Sequence, residues 1–237
     1  MSRGLRALLL AAGVGSRLRP ITERIPKCLV PIHGVPLLDY WFGLLFDQGV
    51  DRVRVNTHYL ADQVVHHVAS CRWRDRVELV HEPRLLGTAG TLLANADFCR
   101  GGSFLVAHAD NLTRFDLAAF VRAHRARPPG VVATMMTFHT DTPQSCGIVE
   151  LDRRGIVTAL HEKVADPPGN LANGAVYLFE PDILDRIRAV GVPCPDLSRH
   201  LLPQLLGRMQ AFHNDDYLRD IGTIDALRKA EREFPGG

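Results

Sequence analysis

Short apolar runs alternate, through the first half of the chain, with longer stretches whose apolar residues recur every three or four positions. A continuous run fits a strand buried on both faces, while recurrence at three and four fits one face of a helix. The pattern predicts strands at Leu5–Ala11, Val53–Asn56, Val77–His81, Phe104–Ala109 and Val131–Phe138. Between them it predicts helices at Leu37–Asp47, Leu60–Ala69, Thr88–Ala96 and Leu117–Arg125, with Thr88 suited to an N-cap. Such alternation implies βαβ units around a mainly parallel sheet. Right-handed crossovers then place helices on both faces.

The second half is less regular. Gly147–Leu151 and Ile156–His161 flank the polar turn Asp152–Gly155 and read as a hairpin. Ala175–Phe179 is a further strand, and Pro181 can open a helix running to Arg188. Val192–Pro195 is a proline-rich loop, and helices are expected at Leu197–Leu206 and Thr223–Glu233. With no repeat and no low-complexity break, the expectation is one α/β domain over residues 1–237: a Rossmann-like, mixed, mainly parallel sheet flanked by helices.

Composition narrows the function classes. The chain has 237 residues, 46% of them apolar and 23% charged, with a formal net charge of +2. These values disfavour disorder and a surface that coats nucleic acid. Arg122–Arg127 therefore reads as a solvated helix end. Cys28, Cys71, Cys99, Cys146 and Cys194 are scattered, without CxxC or Cys/His ligand spacing, so reduced thiols in a cytoplasmic protein are expected. Arg3 and Arg6 before Ala7–Ala12 imitate a secretory leader, but polar Ser16, Arg17 and Arg19 stand where a cleavage region should be. No stretch approaches the roughly 20 apolar residues that span a bilayer, so no membrane partner is expected.

One segment carries specific chemistry. Leu10-Ala11-Ala12-Gly13-Val14-Gly15-Ser16-Arg17 follows the first strand, and Pro26-Lys27 comes shortly after. Small residues at a strand end let backbone approach a ligand, and Gly13 and Gly15 permit positive φ. Successive N–H groups can then face phosphate oxygens, with Arg17 and Lys27 adding positive charge. A dinucleotide fingerprint fails because Leu18 stands where its third glycine belongs, and no Gly-Lys pair supplies a P-loop. A bare G-x-G also fits a tight turn beside an exposed arginine; Pro20, Thr22, Pro26 and Lys27 at these spacings favour the phosphate reading.

Together with Pro31–Leu38, these residues resemble the signature of sugar-1-phosphate nucleotidylyltransferases, nearest to the mannose-1-phosphate and heptose-1-phosphate guanylyltransferases. The likeness continues at Leu86-Gly-Thr-Ala-Gly90, Asp110, Cys146–Val149, Glu162-Lys163, Asn173-Gly174 and Arg219–Thr223. It implies the nucleotide-diphospho-sugar transferase fold, with residues 1–140 binding nucleotide and 141–237 forming the sugar-binding and C-terminal part. It implies that Asp110 and Asp220 hold Mg²⁺ and that Arg17, Lys27 and Lys163 act on the phosphates. Gly87 and Thr88 are assigned to the nucleotide loop, and Asn111, Gly147, Glu162, Lys163 and Asn173 to the sugar. The substrates would be an NTP and a sugar 1-phosphate; a homodimer is allowed and nucleic acid is not a partner. One departure is His108-Ala109 before Asp110, where the family has Asn-Gly or Gly-Gly; His108 reads as a packed strand residue.

Glu82 stands where uridine- and thymidine-using relatives carry glutamine. A carboxylate only accepts hydrogen bonds, and guanine offers adjacent N1–H and N2–H donors. GTP is thus expected before UTP, although Glu82 beside Pro83 also fits a solvated position. The reaction expected is transfer of a nucleoside monophosphate with release of pyrophosphate. The alternatives are a uridylyltransferase acting on a hexose or amino-sugar 1-phosphate, a catalytically silent nucleotide-sugar sensor, and a non-sugar cytidylyltransferase.

Overall fold

The computed structural model describes residues 4–235; Arg3 lies outside them. Its first elements are β1 (Arg6–Leu10), the small hairpin β2 (Pro31–Ile32) and β3 (Val35–Pro36), α1 (Leu37–Asp47), β4 (Arg52–Thr57), α2 (Ala61–Ser70) and β5 (Val77–His81). Next come α3 (Thr88–Ala94), α4 (Ala96–Cys99), β6 (Phe104–His108), β7 (Asn111–Arg114), α5 (Leu117–Arg125), β8 (Ala133–His139), β9 (Gly147–Leu151) and β10 (Val157–Glu162). The chain ends with β11 (Leu171–Phe179), α6 (Ile183–Val190), β12 (Met209–His213), β13 (Tyr217–Asp220) and α7 (Ile224–Glu233). The fold is α/β, with a mixed, mainly parallel central sheet flanked by helices. Two compact units interleave along the sequence: Met1–Leu85 with Ala107–Phe115 and Asp216–Gly237, and Leu86–Val106 with Asp116–Asp215.

In the first unit β1 pairs parallel with β4, and β4 with β5. Ala7, Leu8 and Leu9 are fully buried, as a continuous apolar run requires. Helix α1 buries Leu37, Leu38, Trp41, Phe42, Leu45 and Phe46. Each large side chain so buried contributes about 1.5–3 kcal/mol. The Trp41 indole donates to the Asn111 carbonyl at 2.9 Å. A satellite core joins Leu18, Val30, Ile32, Leu112 and Ile221 to Leu227, Ala230 and Phe234 around α7. Within it runs a second, antiparallel ladder of β7 and β13, with Asn111 opposite Asp220.

In the second unit β8 lies between β11, antiparallel, and β12, parallel. β9 and β10 form the expected hairpin, and Ala172 pairs with Ile148 to join β11 to β9. The register of β11 against β8 shifts between Asn173 and Tyr177. Buried His124 lies 2.8 Å from Thr134 Oγ1 and 3.0 Å from Glu180 Oε1.

Several local expectations change. Thr88 is not the N-cap of α3; that place belongs to Gly87, whose φ of 77° suits glycine alone. Helix Thr88–Ala96 is interrupted at Asn95, whose amide donates back to the Thr91 carbonyl. Pro181 precedes the cap of α6 instead of opening the helix. Leu197–Leu206 is a π turn over Leu197–Leu201 followed by a 3₁₀ turn over Leu202–Leu205. Arg127 is not a solvated helix end: it pairs with Glu180 at 2.8 Å and donates to the carbonyls of Val131 and His124. All five cysteines are thiols. Among the described residues no helix is long and apolar enough to cross a membrane.

Candidate active site

The phosphate-loop segment leaves β1 at Leu10, whose carbonyl accepts from Ala109 N–H at 3.0 Å. The Ala11 N–H donates to Asn56 Oδ1 at 2.7 Å. The Leu10 carbonyl and the Ala11 N–H are thus engaged within the protein. Ala12 is buried, whereas Gly13, Ser16 and Arg17 are exposed. Gly15 has φ 68°, and a Cβ there would lie 2.9 Å from Thr22 Cγ2 and 3.2 Å from Lys27 Cβ. Glycine is thus required by conformation and by contact with the two residues that the motif spacing singled out. The expected positive φ at Gly13 is absent; a Cβ there would meet nothing within 4 Å.

Lys27 opens a 3₁₀ turn after Pro26, and the turn closes through Leu29 N–H to the Pro26 carbonyl at 2.8 Å. Its side chain is buried yet ends on two carboxylates: Nζ lies 2.5 Å from Asp110 Oδ2 and 3.2 Å from Asp220 Oδ1. The β7–β13 ladder brings these acids together, since Asn111 pairs with Asp220 and the Ile221 N–H donates to the Asp110 carbonyl at 3.0 Å. Arg17 approaches from the solvent side, with Nη2 3.5 Å from Asp220 Oδ2.

The electrostatics follow from that geometry. Burial works against the charged forms of both Lys27 and Asp110. The two carboxylates override it for Lys27, whose ammonium is held above its ordinary range. Lys27, then His108, override it for Asp110, whose carboxyl falls below its ordinary range. His108 is half-buried at the end of β6, two residues before Asp110. Cys28, wholly buried beside Lys27, has its thiol pushed up to about 12 by burial and is no nucleophile.

Glu82 is buried, at 3% exposure, which overturns the solvated alternative. Its Oε1 accepts from Asn56 Nδ2 at 2.9 Å, its N–H donates to the Thr57 carbonyl at 2.8 Å, and His58 Nδ1 lies 2.7 Å from its carbonyl. Asn56 was not singled out from the sequence. Its signal was an asparagine directly after the valines of β4, opposite Leu10.

In the second unit the hairpin register sets Gly147 opposite Glu162. A Cβ on Gly147 would lie 2.7 Å from Glu162 Oε2. Lys163 has φ 52°, donates its N–H to the Cys146 carbonyl at 3.1 Å, and leaves its ammonium exposed, 3.7 Å from Glu162 Oε1. Asn173 holds the β11 bulge: Oδ1 accepts from Ala175 N–H at 2.9 Å and Nδ2 donates to Tyr177 Oη at 2.8 Å. The pairing of β11 with β9 and of β9 with β10 brings Asn173, Gly147 and Glu162 to one end of this sheet. Asn111 is buried in the first unit, where its carbonyl accepts from the Trp41 indole.

The Gly87–Gly90 loop is gripped by Pro195–Leu197. Pro195 O accepts from Ala89 and Gly90 N–H at 3.0 and 3.1 Å, and a Cβ on Gly87 would lie 2.5 Å from it. The Thr88 hydroxyl donates to Asp196 Oδ2 at 2.9 Å and accepts from Leu197 N–H at 2.7 Å. Thr88 thus ties two loops together.

Two hard oxygen donors facing one cation suit a hard divalent ion. Among the described residues no group of three or more His, Cys, Asp or Glu side chains could hold a metal. An ion on Asp110 and Asp220 would take its other ligands from phosphates and water.

Residues 6–235 match the family described as nucleotidyl transferase, and the chain belongs to it. The particular relatives differ in their nucleotide. Mannose-1-phosphate guanylyltransferase of Mycobacterium tuberculosis is 30% identical over 244 residues, covering 98% of this chain and 65% of that one. Glucose-1-phosphate thymidylyltransferase of Streptomyces griseus is 34% identical over 187 residues, covering 78% and 52%. The chain thus spans about half to two thirds of the length of these curated relatives. Among solved structures, HddC from Yersinia pseudotuberculosis complexed with GMP-PN superposes with a TM-score of 0.82 at 25% identity, covering 98% of this chain and 100% of that one.

Proposed function

We propose that this chain transfers a nucleoside monophosphate, GMP in preference to UMP, from its triphosphate to a sugar 1-phosphate. The observation that carries the reading is the convergence of Asp110 and Asp220 on the buried Lys27 ammonium, whose side-chain stem packs against Gly15 of the glycine loop. Family membership and the guanylyltransferase relatives support it. An oxygen of the sugar phosphate forms a bond to the α-phosphorus, the α–β bridging bond breaks, and pyrophosphate leaves. No covalent intermediate with the protein is needed, because positioning and charge neutralisation supply the catalysis.

Each residue's part follows from its chemistry. Gly13, Gly15 and Ser16 offer backbone to the phosphates, while Arg17 and Lys27 neutralise the triphosphate and the departing pyrophosphate. Lys163 attracts the acceptor phosphate. Glu162, Asn173 and the Gly147 backbone accept or donate to sugar hydroxyls, and Asn111 is placed there only by resemblance. Glu82 accepts from the base edge, and Gly87 and Thr88 belong to the nucleotide loop by resemblance. Asp110 and Asp220 would hold Mg²⁺, which neutralises phosphate charge when bound.

The test is pyrophosphate release on mixing the protein, Mg²⁺, one nucleotide (GTP, UTP, dTTP or CTP) and one sugar 1-phosphate from a panel including mannose, heptose and N-acetylhexosamine derivatives. GTP with one of these should give turnover. Turnover with UTP well above GTP would reject the nucleotide assignment, and binding without pyrophosphate would mark a sensor.

A further inference from the structure

Asn56 lies outside the residues that the motif comparison pointed to, yet its side chain joins two of them. It sits in β4, opposite Leu10 of β1 and Val80 of β5, and is 3% exposed. Oδ1 accepts from the Ala11 N–H and Nδ2 donates to Glu82 Oε1. The two bonds have opposite polarity. Turning the amide over would set its oxygen against a carboxylate oxygen and its NH₂ against an N–H. The amide orientation is therefore fixed at both ends.

That matters for what Glu82 can read. The terminal torsion of a glutamate is broad and roughly two-fold, so a carboxylate held only by its stem samples many planes. Two-point acceptance from adjacent donors requires one plane, and displacement of that plane weakens both bonds together. The backbone around Glu82 is already pinned, through its N–H to Thr57 and its carbonyl to His58. Asn56 adds the constraint at the carboxylate itself and refers it to the strand end from which the glycine loop departs.

We propose that Asn56 is a positioning residue for base selection: it sets the plane of the Glu82 carboxylate, so that a purine with adjacent N–H donors is preferred over a pyrimidine N–H flanked by carbonyls. The proposal rests on the reading of Glu82 as the group facing the base. Asn56 itself touches no substrate in this account. Its substitution should alter discrimination between nucleotides without removing the phosphate-binding residues.

The experiment measures dissociation constants for GTP and UTP by calorimetry on the full chain and on Glu82→Gln, Asn56→Leu and Asn56→Asp, with a melting curve for each. Glu82→Gln should lower the GTP-over-UTP ratio by about tenfold, and Asn56→Leu by a similar factor, chiefly through weaker GTP binding. Asn56→Asp should lower it too, because it sets a second carboxylate against Glu82, and it carries the test if the leucine variant does not fold. If Glu82→Gln shifts the ratio while both Asn56 variants only melt earlier with the ratio unchanged, Asn56 is packing alone and the proposal fails. If Glu82→Gln leaves the ratio unchanged, or the parent chain prefers UTP, the base-reading role of Glu82 fails and the proposal with it; nucleotidyl transfer would stand independently.

Discussion

Lys27 settles the charge balance where Asp110 and Asp220 meet. Two carboxylates about 4 Å apart repel by roughly 4 kcal/mol at an effective dielectric of about 20, and an interposed ammonium reverses the sign. Removing the ammonium should therefore cost more than removing either acid. Lys27→Met is expected to lower unfolding free energy by about 2 kcal/mol, reduced from the value for a fully buried pair because both acids are partly exposed. Millimolar Mg²⁺ should recover part of that loss in the variant's melting temperature. Asp110→Asn leaves Lys27 its contact with Asp220, so the fold should persist while pyrophosphate release drops by at least about 100-fold. Near-parental turnover in that variant would remove Asp110 from the proposed chemistry.

Secondary-structure elements show how much of this arrangement the sequence disclosed. Helix α1, strand β5, helix α5 and strand β9 stand where the apolar period put them, end to end. β7, β12 and β13 were not seen, because each is four or five residues long and mixes polar with apolar side chains. Their partners lie far along the chain, and local periodicity carries no information about distant pairing. So the motif spacing disclosed Lys27, Asp110 and Asp220 individually, while the ladder that unites two of them was illegible. Asn56 was missed for the related reason that its partners, Ala11 and Glu82, are remote in sequence. Two substitutions probe these elements. Thr223 caps α7 by accepting from Ala226 N–H at 3.1 Å, so Thr223→Ala should cost about 1 kcal/mol in chemical denaturation. Gly87→Ala should cost more, about 2–4 kcal/mol, since a Cβ would press on the Pro195 carbonyl in a backbone conformation that disfavours it.

Acid stability of the whole molecule has a marker in His124. Burial, then the Arg127 charge, hold its imidazole down to about 4, against an ordinary value of 6.5. Between those values the unfolded chain binds a proton that the folded chain refuses. Stability from this site is fully present above about pH 6.5 and falls with decreasing pH, by at most about 1.4 kcal/mol per unit. Urea denaturation at pH 7, 6 and 5 should show that slope, and His124→Gln should flatten it; a pH-independent parent would contradict the assignment. The β7–β13 ladder has a consequence in time as well as space. A ribosome threads Lys27 and Asp110 into the cell well before β13, so a nascent chain paused after α6 holds its ammonium against a single acid. The second acid arrives only with β13, so the pair of carboxylates on Lys27 becomes whole late in translation, and a chain that stops before β13 lacks it.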